Sequence, residues 1–275
     1  MTIRANFSPH LFHQDPSFSR ANEHVLYEAF SYFTQLGRWA SHTKAGIKWM
    51  SSELGHPLFN YVYNVCVKNE DFPLKAVKVI NAFKEKHTPF LWINGPSTQP
   101  KNFRNTLERE GLNFVAPVTG MVYELQDLPN VEIKNSVTEI QRVDTEKLLQ
   151  QFDSASAAAF DHHIGLAYAF FKNIFISPYL TSRMELFLAT QTGKPVGIGI
   201  LFLGKNAAVN IWGGVVPSAR HQGISTQMTL HRMRRARAYG YSQIHSPCLP
   251  PYVGLYRRLG FQECCTFDLY SYISA

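Results

Sequence analysis

Hydrophobic and polar positions along the chain switch between two periods, and the switches outline its elements. Over Ala21–Leu36 the apolar residues, Val25, Phe30 and Phe33 among them, recur at helical spacing, and Gly37 closes the run. Asn60–Val67 (NYVYNVCV) reads as a strand, and Pro73–Lys86 as a helix with proline in its first turn. Pro89–Asn94 (PFLWIN) is apolar enough for a buried strand. A short helix over Asn102–Glu110 stops at Gly111, and Val115–Leu125 returns extended. Strands alternating with helices predict an α/β arrangement.

The segment Gln126–Asn135, with Pro129 and Asn130, reads as a linker, so the sequence divides into units 1–130 and 131–275. Val131–Val143 predicts a strand, and Asp144 is placed to cap a helix running to Phe160. Asp161–Phe175 predicts a second helix. Strands follow at Met184–Thr190, Val196–Leu203 and Ala207–Val216, the first two parted by the turn sequence Gln191–Pro195. A helix from Gly223 to Tyr239 stops at Gly240, and Tyr241–His245 is a short strand. Pro251–Leu259 is a short helix ending at Gly260, and Phe261–Tyr270 is the last strand.

Composition narrows the picture. The chain has 275 residues, 45% hydrophobic and 17% charged, the balance of an ordinary globular protein with a large core. Lys and Arg number 27 against 20 Asp and Glu, a net charge of +7 that points to an anionic ligand or partner. The four cysteines (Cys66, Cys248, Cys264, Cys265) have neither a disulfide framework's number nor a zinc site's spacing, and read as reduced thiols of a cytoplasmic protein. The N-terminal segment has no apolar core of a signal peptide. The longest stretch free of Asp, Glu, Lys and Arg, Ala238–Tyr256, is broken by Pro247, Pro250 and Pro251, so no membrane span is expected.

The most informative stretch runs from Ala207 to Gly240. A strand enters a short loop, Arg220-His221-Gln222-Gly223-Ile224-Ser225, and the loop opens a helix. The first turn of a helix carries N–H groups without internal partners at the positive end of its dipole, which attracts phosphate. Gly223 admits close backbone approach, Ser225 and Thr226 add hydroxyls, and Arg220 adds a fixed charge. The residue types suit a pyrophosphate cradle that needs no metal. They also suit a plain strand-to-helix turn whose glycine only relieves strain. No Gly-Lys-Ser/Thr follows, so this is not a Walker loop, and the glycines of a dinucleotide fingerprint are missing. Residues 217–275 hold seven Arg against two acidic residues, which concentrates the positive charge beside the loop. Arg232, Arg234, Arg235 and Arg237 read mostly as a solvated helix face.

Further on stands Leu255-Tyr256-Arg257-Arg258-Leu259-Gly260-Phe261. Together the two segments resemble the GNAT superfamily of N-acetyltransferases, whose cofactor loop reads Gln/Arg-x-x-Gly-x-Gly/Ala and whose later element reads Leu-Tyr-x-x-x-Gly-Phe. Arg220-x-x-Gly223-x-Ser225 matches with Ser in the last place, and Leu255-Tyr256 with Gly260-Phe261 matches fully. The resemblance covers roughly residues 136–275. It implies acetyl-CoA as co-substrate and acyl transfer to a primary amine, on a small molecule or a peptide, by direct attack in a ternary complex. It implies that Val215 and Val216 meet the pantetheine arm through backbone groups. Residues Arg220, His221, Gln222, Gly223, Ile224, Ser225 and Thr226 would hold the pyrophosphate. Tyr256 would protonate the departing thiolate, as suits a phenol with a pKa near ~10.

The sequence departs from the family where many members carry Asn: Leu249 stands there, within Pro247-Cys248-Leu249-Pro250-Pro251. The strand Ala207–Val216 holds no carboxylate, so candidate bases are Glu185, Asp161, His162 and His163. Asp161-His162-His163 lack the i, i+4 spacing of helical metal ligands, and no metal is expected.

The first half reads either as a degenerate echo of the second or as an unrelated α/β extension. KNEDFP, with no glycine and two carboxylates, occupies the loop's place, and Leu107 falls where Tyr256 falls. It is similar to the non-catalytic half of tandem GNAT proteins, expected to bind no CoA and to wall the acceptor cleft. The expected fold is α/β, two GNAT-like units, each a mixed, mostly antiparallel sheet flanked by helices. The alternative is a non-catalytic CoA-sensing or partner-binding module. No aromatic-interleaved basic strand supports nucleic-acid binding.

Overall fold

The computed structural model describes residues 15–37, 39–52, 54–128, 137–176 and 178–273. They group into two compact units. The first unit takes residues 15–120, 248–253 and 263–273; the second takes the described residues of 121–247 and residues 254–262.

The first unit opens with α1 (Pro16–Phe33), capped by the Asp15 carboxylate, which accepts the Ser17 N–H at 2.7 Å. Then come β1 (Ala40–Lys44), β2 (Ile47–Ser51), β3 (Tyr61–Tyr63), α2 (Phe72–Lys84), β4 (Phe90–Asn94), α3 (Arg104–Arg109) and the start of β5 (Asn113–Glu124). The chain's last strand, β11 (Gln262–Tyr272), completes it, and the strand order is β1-β2-β3-β4-β11. Strands β3 and β4 run parallel, and the pairs β1–β2, β2–β3 and β4–β11 are antiparallel. The apolar face of α2 (Phe72, Ala76, Val79, Ile80, Phe83) shares one core with Val62, Phe90, Trp92 and Tyr270. Phe83 stacks on Phe90 with ring centroids 4.3 Å apart.

The second unit contains β6 (Thr138–Arg142), α4 (Glu146–Phe160), α5 (Leu166–Phe171), α6 (Pro178–Arg183), β7 (Met184–Gln191), β8 (Lys194–Leu203), β9 (Ala208–Val215), α7 (Ile224–Ala238), β10 (Gln243–Cys248, through Pro247) and the end of α8 (Pro250–Arg258). Its strands lie in the order β10-β9-β8-β7-β6, antiparallel except for β9 and β10. The α4 helix covers one face, where a Cβ on Gly214 would lie 2.9 Å from Ala159; α7 covers the other, where a Cβ on Gly199 would lie 2.8 Å from the Arg232 guanidinium. Strand β9 bulges. Its register jumps from Ile200↔Ile211 to Ile198↔Gly214, so Trp212 and Gly213 together oppose Gly199, and Trp212 takes a φ of 54°.

Each unit is thus a mixed, mostly antiparallel sheet with helices, as the sequence predicts. Several details differ. Thr145, not Asp144, caps α4, its hydroxyl accepting the Leu148 N–H at 3.3 Å. The helix expected over Asp161–Phe175 is shorter: Asp161 and Gly165 are left-handed, and the buried Asp153 carboxylate accepts the Gly165 and Tyr168 N–H groups that open α5. The expected strand Asn60–Val67 narrows to β3. The linker at Gln126–Asn135 and the first part of the strand expected over Val131–Val143 fall largely outside the described residues. By compactness residues 263–273 group with the first unit, because β11 sets Asp268–Tyr272 against Asn94–Phe90. Among the described residues no helix is long and apolar enough to cross a membrane.

Candidate active site

The loop after β9 is built as the sequence suggests. Pro217–Ala219 forms one tight turn, and α7 begins at Ile224 with Gly223 as its cap residue. His221 and Gly223 both take left-handed conformations, with φ of 62° and 77°. A Cβ on Gly223 would meet nothing nearer than Gln227 Nε2 at 4.0 Å, so the dihedral, not crowding within the chain, asks for glycine. Residues 220–223 are exposed. Among the described residues, none of the N–H groups of residues 221–226 is bonded to a backbone carbonyl, and the first turn of α7 holds no acidic residue. A row of donors at a helix N-terminus therefore faces outward, the arrangement that receives phosphate.

Three of the expected contacts are modified by bonds within the chain. Arg220 folds back, its Nε donating to the Val215 carbonyl at 3.2 Å, which fixes the side chain beside the loop and occupies that carbonyl. The Val216 N–H donates to the Val196 carbonyl at 3.0 Å.

Behind the loop the sheet opens. Strands β9 and β10 pair only at Ala208–Ile244 and Val209–His245, and the register ends there. From Asn210 on one strand and Ser246 on the other, the two part. The corresponding place in the first unit is closed: β3 and β4 pair at Tyr61–Leu91 and Val62–Trp92, and a second bridge joins Cys66 to Gln99. There the Gln99 N–H donates to the Val65 carbonyl at 2.9 Å and the Val67 N–H to the Gln99 carbonyl at 3.1 Å. The first unit's loop is also occupied internally, by a Lys75–Asp71 ion pair at 2.9 Å.

Tyr256 lies on the part of α8 that belongs to the second unit. Its ring is 9% exposed and meets Phe261 edge-on at 5.1 Å. The left-handed Gly260 ends the helix, and the Phe261 N–H returns to the Tyr256 carbonyl at 3.0 Å. Loop, fork and Tyr256 all belong to the second unit.

The candidate bases fare differently. Glu185 is fully buried and engaged: it accepts from Arg235 Nη2 at 2.6 Å and Nε at 3.1 Å, from Tyr239 Oη at 2.9 Å, and pairs with Arg142 at 3.3 Å. It is the hub of an ion network, not a base waiting for a proton. His162 Nε2 lies 2.8 Å from Ser156 Oγ, which also accepts the indole N–H of Trp212 at 3.2 Å; His162 Nδ1 lies 2.9 Å from the His163 carbonyl. A carbonyl only accepts, so Nδ1 carries a proton, and Nε2 shares a hydrogen bond with the Ser156 hydroxyl. Asp161 is the left-handed end of α4. Among the described residues no group of three or more His, Cys, Asp and Glu side chains is placed to hold a metal ion.

Sequence reasoning missed one cluster. Arg232, expected on the solvated face of α7, is buried, and Asn210, Thr229 and Ser246 are buried with it, their side-chain polar atoms unpartnered. The available signals were Gly199 and Gly213 within strands, which make room for the guanidinium.

No protein-family profile and no curated protein sequence matches the chain. Solved structures do. A GCN5-related N-acetyltransferase from Kribbella flavida superposes over 91% of this chain and 95% of its own with a TM-score of 0.66 at 14% identity. A conserved protein of unknown function from Staphylococcus epidermidis gives 0.63 at 15% identity over 88% and 98%. A tandem GNAT protein from the clavulanic acid biosynthesis pathway gives 0.56 at 10% identity, over 96% of this chain and 97% of that one. At these identities the likeness is one of architecture, and the chain has the fold of the GCN5-related N-acetyltransferases.

Proposed function

We propose that the second unit is an N-acyltransferase that moves an acyl group from a coenzyme A thioester to a primary amine, with acetyl-CoA the donor that the resemblance implies. The observation that carries this reading is the outward row of unbonded N–H groups at residues 221–226, standing at the end of a strand whose neighbour has parted from it. The N–H row and Arg220 take the pyrophosphate. The parted strands admit the pantetheine arm, because β9 beyond Val209 has no partner on β10. The amine nitrogen attacks the thioester carbonyl, the carbon–sulfur bond breaks, and Tyr256 gives its phenolic proton to the sulfur. The proton lost by the amine passes to solvent or a side chain at the cleft.

The first unit, on this reading, is non-catalytic. Its closed strands leave no path for the arm, and Leu107, fully buried, has no proton to give. All four cysteines are free thiols, which fits a cytoplasmic setting.

Tyr256→Phe tests the role of the phenol. Under conditions where chemistry limits turnover, kcat falls by about 10²–10⁴-fold while the affinity for acetyl-CoA is kept. Unchanged kcat removes Tyr256 from the mechanism. A second reading, a module that binds CoA without turnover, draws on the engaged state of Glu185 and the absence of a carboxylate from β9. Thiol release measured across a panel of amines separates the two.

A further inference from the structure

The crotch of the fork is polar and cationic. Side chains on β8 that face α7 include Gly197 and Gly199, where an added Cβ would meet Ile224 and Arg232, and therefore Leu201 by alternation. Leu201 pairs with Asn210, so Asn210 faces α7 as well. Ala208 shares that face and pairs with Ile244, which puts Ser246 there too. Thr229 and Arg232, one turn apart on α7, point back at the sheet and are 0% and 2% exposed. The first residues beyond the last bonded pair of β9 and β10 thus lie on the sheet face that α7 covers, the face to which Thr229 and Arg232 turn.

Among the described residues nothing satisfies these groups. Asn210 Oδ1 and Nδ2, Thr229 Oγ1 and Ser246 Oγ are buried and have no hydrogen-bond partner. The Arg232 guanidinium donates to the carbonyls of Met228 (3.1 Å), Ile200 (3.2 Å) and Ile211 (3.3 Å) but meets no carboxylate among the described residues. Burial pushes its pKa below the ordinary arginine value, and the Tyr256 phenol offsets part of that. An arginine keeps its charge in such a place. A buried cation without a counter-ion among the described residues, with three orphaned polar side chains on the same face, costs free energy unless a ligand completes it. The ligand that matches is an anion with planar oxygens, which arginine, amide and hydroxyls bind together.

The location says which anion. Val215 and Asn210 are five residues apart on β9, at most about 17 Å of strand at 3.3–3.4 Å per residue, a span that the bulge at Trp212–Gly213 shortens. With the pyrophosphate at residues 221–226, the thioester arrives at the fork, and whatever the acyl group carries beyond its carbonyl meets this cluster. We propose that Arg232, with Asn210, Thr229 and Ser246, forms an acyl subsite for a donor whose acyl group ends in a carboxylate, a monothioester of a short dicarboxylic acid. The proposal rests on the acyltransferase reading and names the donor class for it. A bare methyl in this subsite leaves every one of these groups unpaired, which is the situation in which a polar site rejects an apolar analogue.

The test is calorimetric binding to the whole protein of two matched pairs: malonyl-CoA against propionyl-CoA, and succinyl-CoA against butyryl-CoA. In each pair only a carboxylate replaces a methyl end. The expected result is that at least one carboxylate-ended thioester binds ten-fold or more tightly than its partner, and that Arg232→Met abolishes the difference while CoA itself still binds. Gly199→Ala, which presses a methyl on the guanidinium without removing its charge, reduces the difference and covers the case in which Arg232→Met does not fold. Equal affinities within both pairs, or a preference that survives Arg232→Met, overturn the subsite and leave the acyltransferase reading standing. No binding of CoA or of any thioester overturns both.

Discussion

Single side chains in the second unit carry charge in ways that the linear sequence does not display. Glu185 is the clearest case. With a fully buried carboxylate held by Arg235, Arg142 and Tyr239, Glu185→Gln leaves guanidinium groups short of their partner. Because Arg235 and Arg142 are partly exposed, the cost should lie below that of a fully buried pair, at about 2–4 kcal/mol, read by urea denaturation at neutral pH. An unchanged stability removes the hub. His245 makes a second prediction. Burial lowers its pKa from 6.5 to about 4, and neither ring nitrogen has a partner among the described residues. The unfolded chain therefore takes up a proton at a higher pH than the folded one, so stability is fully present above the unfolded value and drains away as pH falls toward about 4. His245→Phe should flatten that limb, an effect of about 2–3 kcal/mol between pH 7 and pH 4.5. An identical acid limb in the variant shows that other groups set it.

At the scale of elements, one difference separates the units: the parallel pair β9–β10 opens after two residue pairs, whereas β3–β4 is joined again at Cys66 and Gln99. Both pairs follow a strand–helix–strand pattern that hydrophobic periodicity reveals, which is why the α/β order and the loop before α7 were legible. Whether two strands stay paired depends on where backbone groups find partners, and periodicity carries no trace of that. The β1–β2 hairpin was illegible for another reason. β1 (ASHTK) is almost wholly exposed and polar, and its turn uses Ala45 at a φ of 53° before Gly46. Arg232 hid in a helix whose other arginines are only half-buried, and its burial came from the glycines opposite. The helices supply stability in the usual way. Phe83→Ala, on the buried face of α2 and stacked on Phe90, should cost about 3–5 kcal/mol in thermal or urea unfolding.

For the whole molecule, sequence order and unit membership disagree at the C-terminus. β11 follows α8 in the chain, yet its Asp268–Tyr272 stretch completes the first unit's sheet beside β4, and Tyr270 enters that unit's core. A division read along the sequence cannot see this, because strand pairing between residues far apart leaves no local signal. Ending the chain after Gln262 should strip β4 of one of its two partners, expose an apolar edge and give an aggregating or partly unfolded protein by scattering and circular dichroism. A truncated chain that stays monodisperse with a single sharp transition contradicts this assignment.

The central claim is that the bend around Gly223 seats a pyrophosphate. Calorimetric titration of acetyl-CoA into the wild-type protein and into Gly223→Asp, with both shown to be folded, tests it most directly. The account predicts saturable binding to the wild type and its loss in the variant, where a carboxylate and a Cβ stand at the donor row. Absence of binding to the folded wild type, or equal affinity in the two proteins, contradicts it.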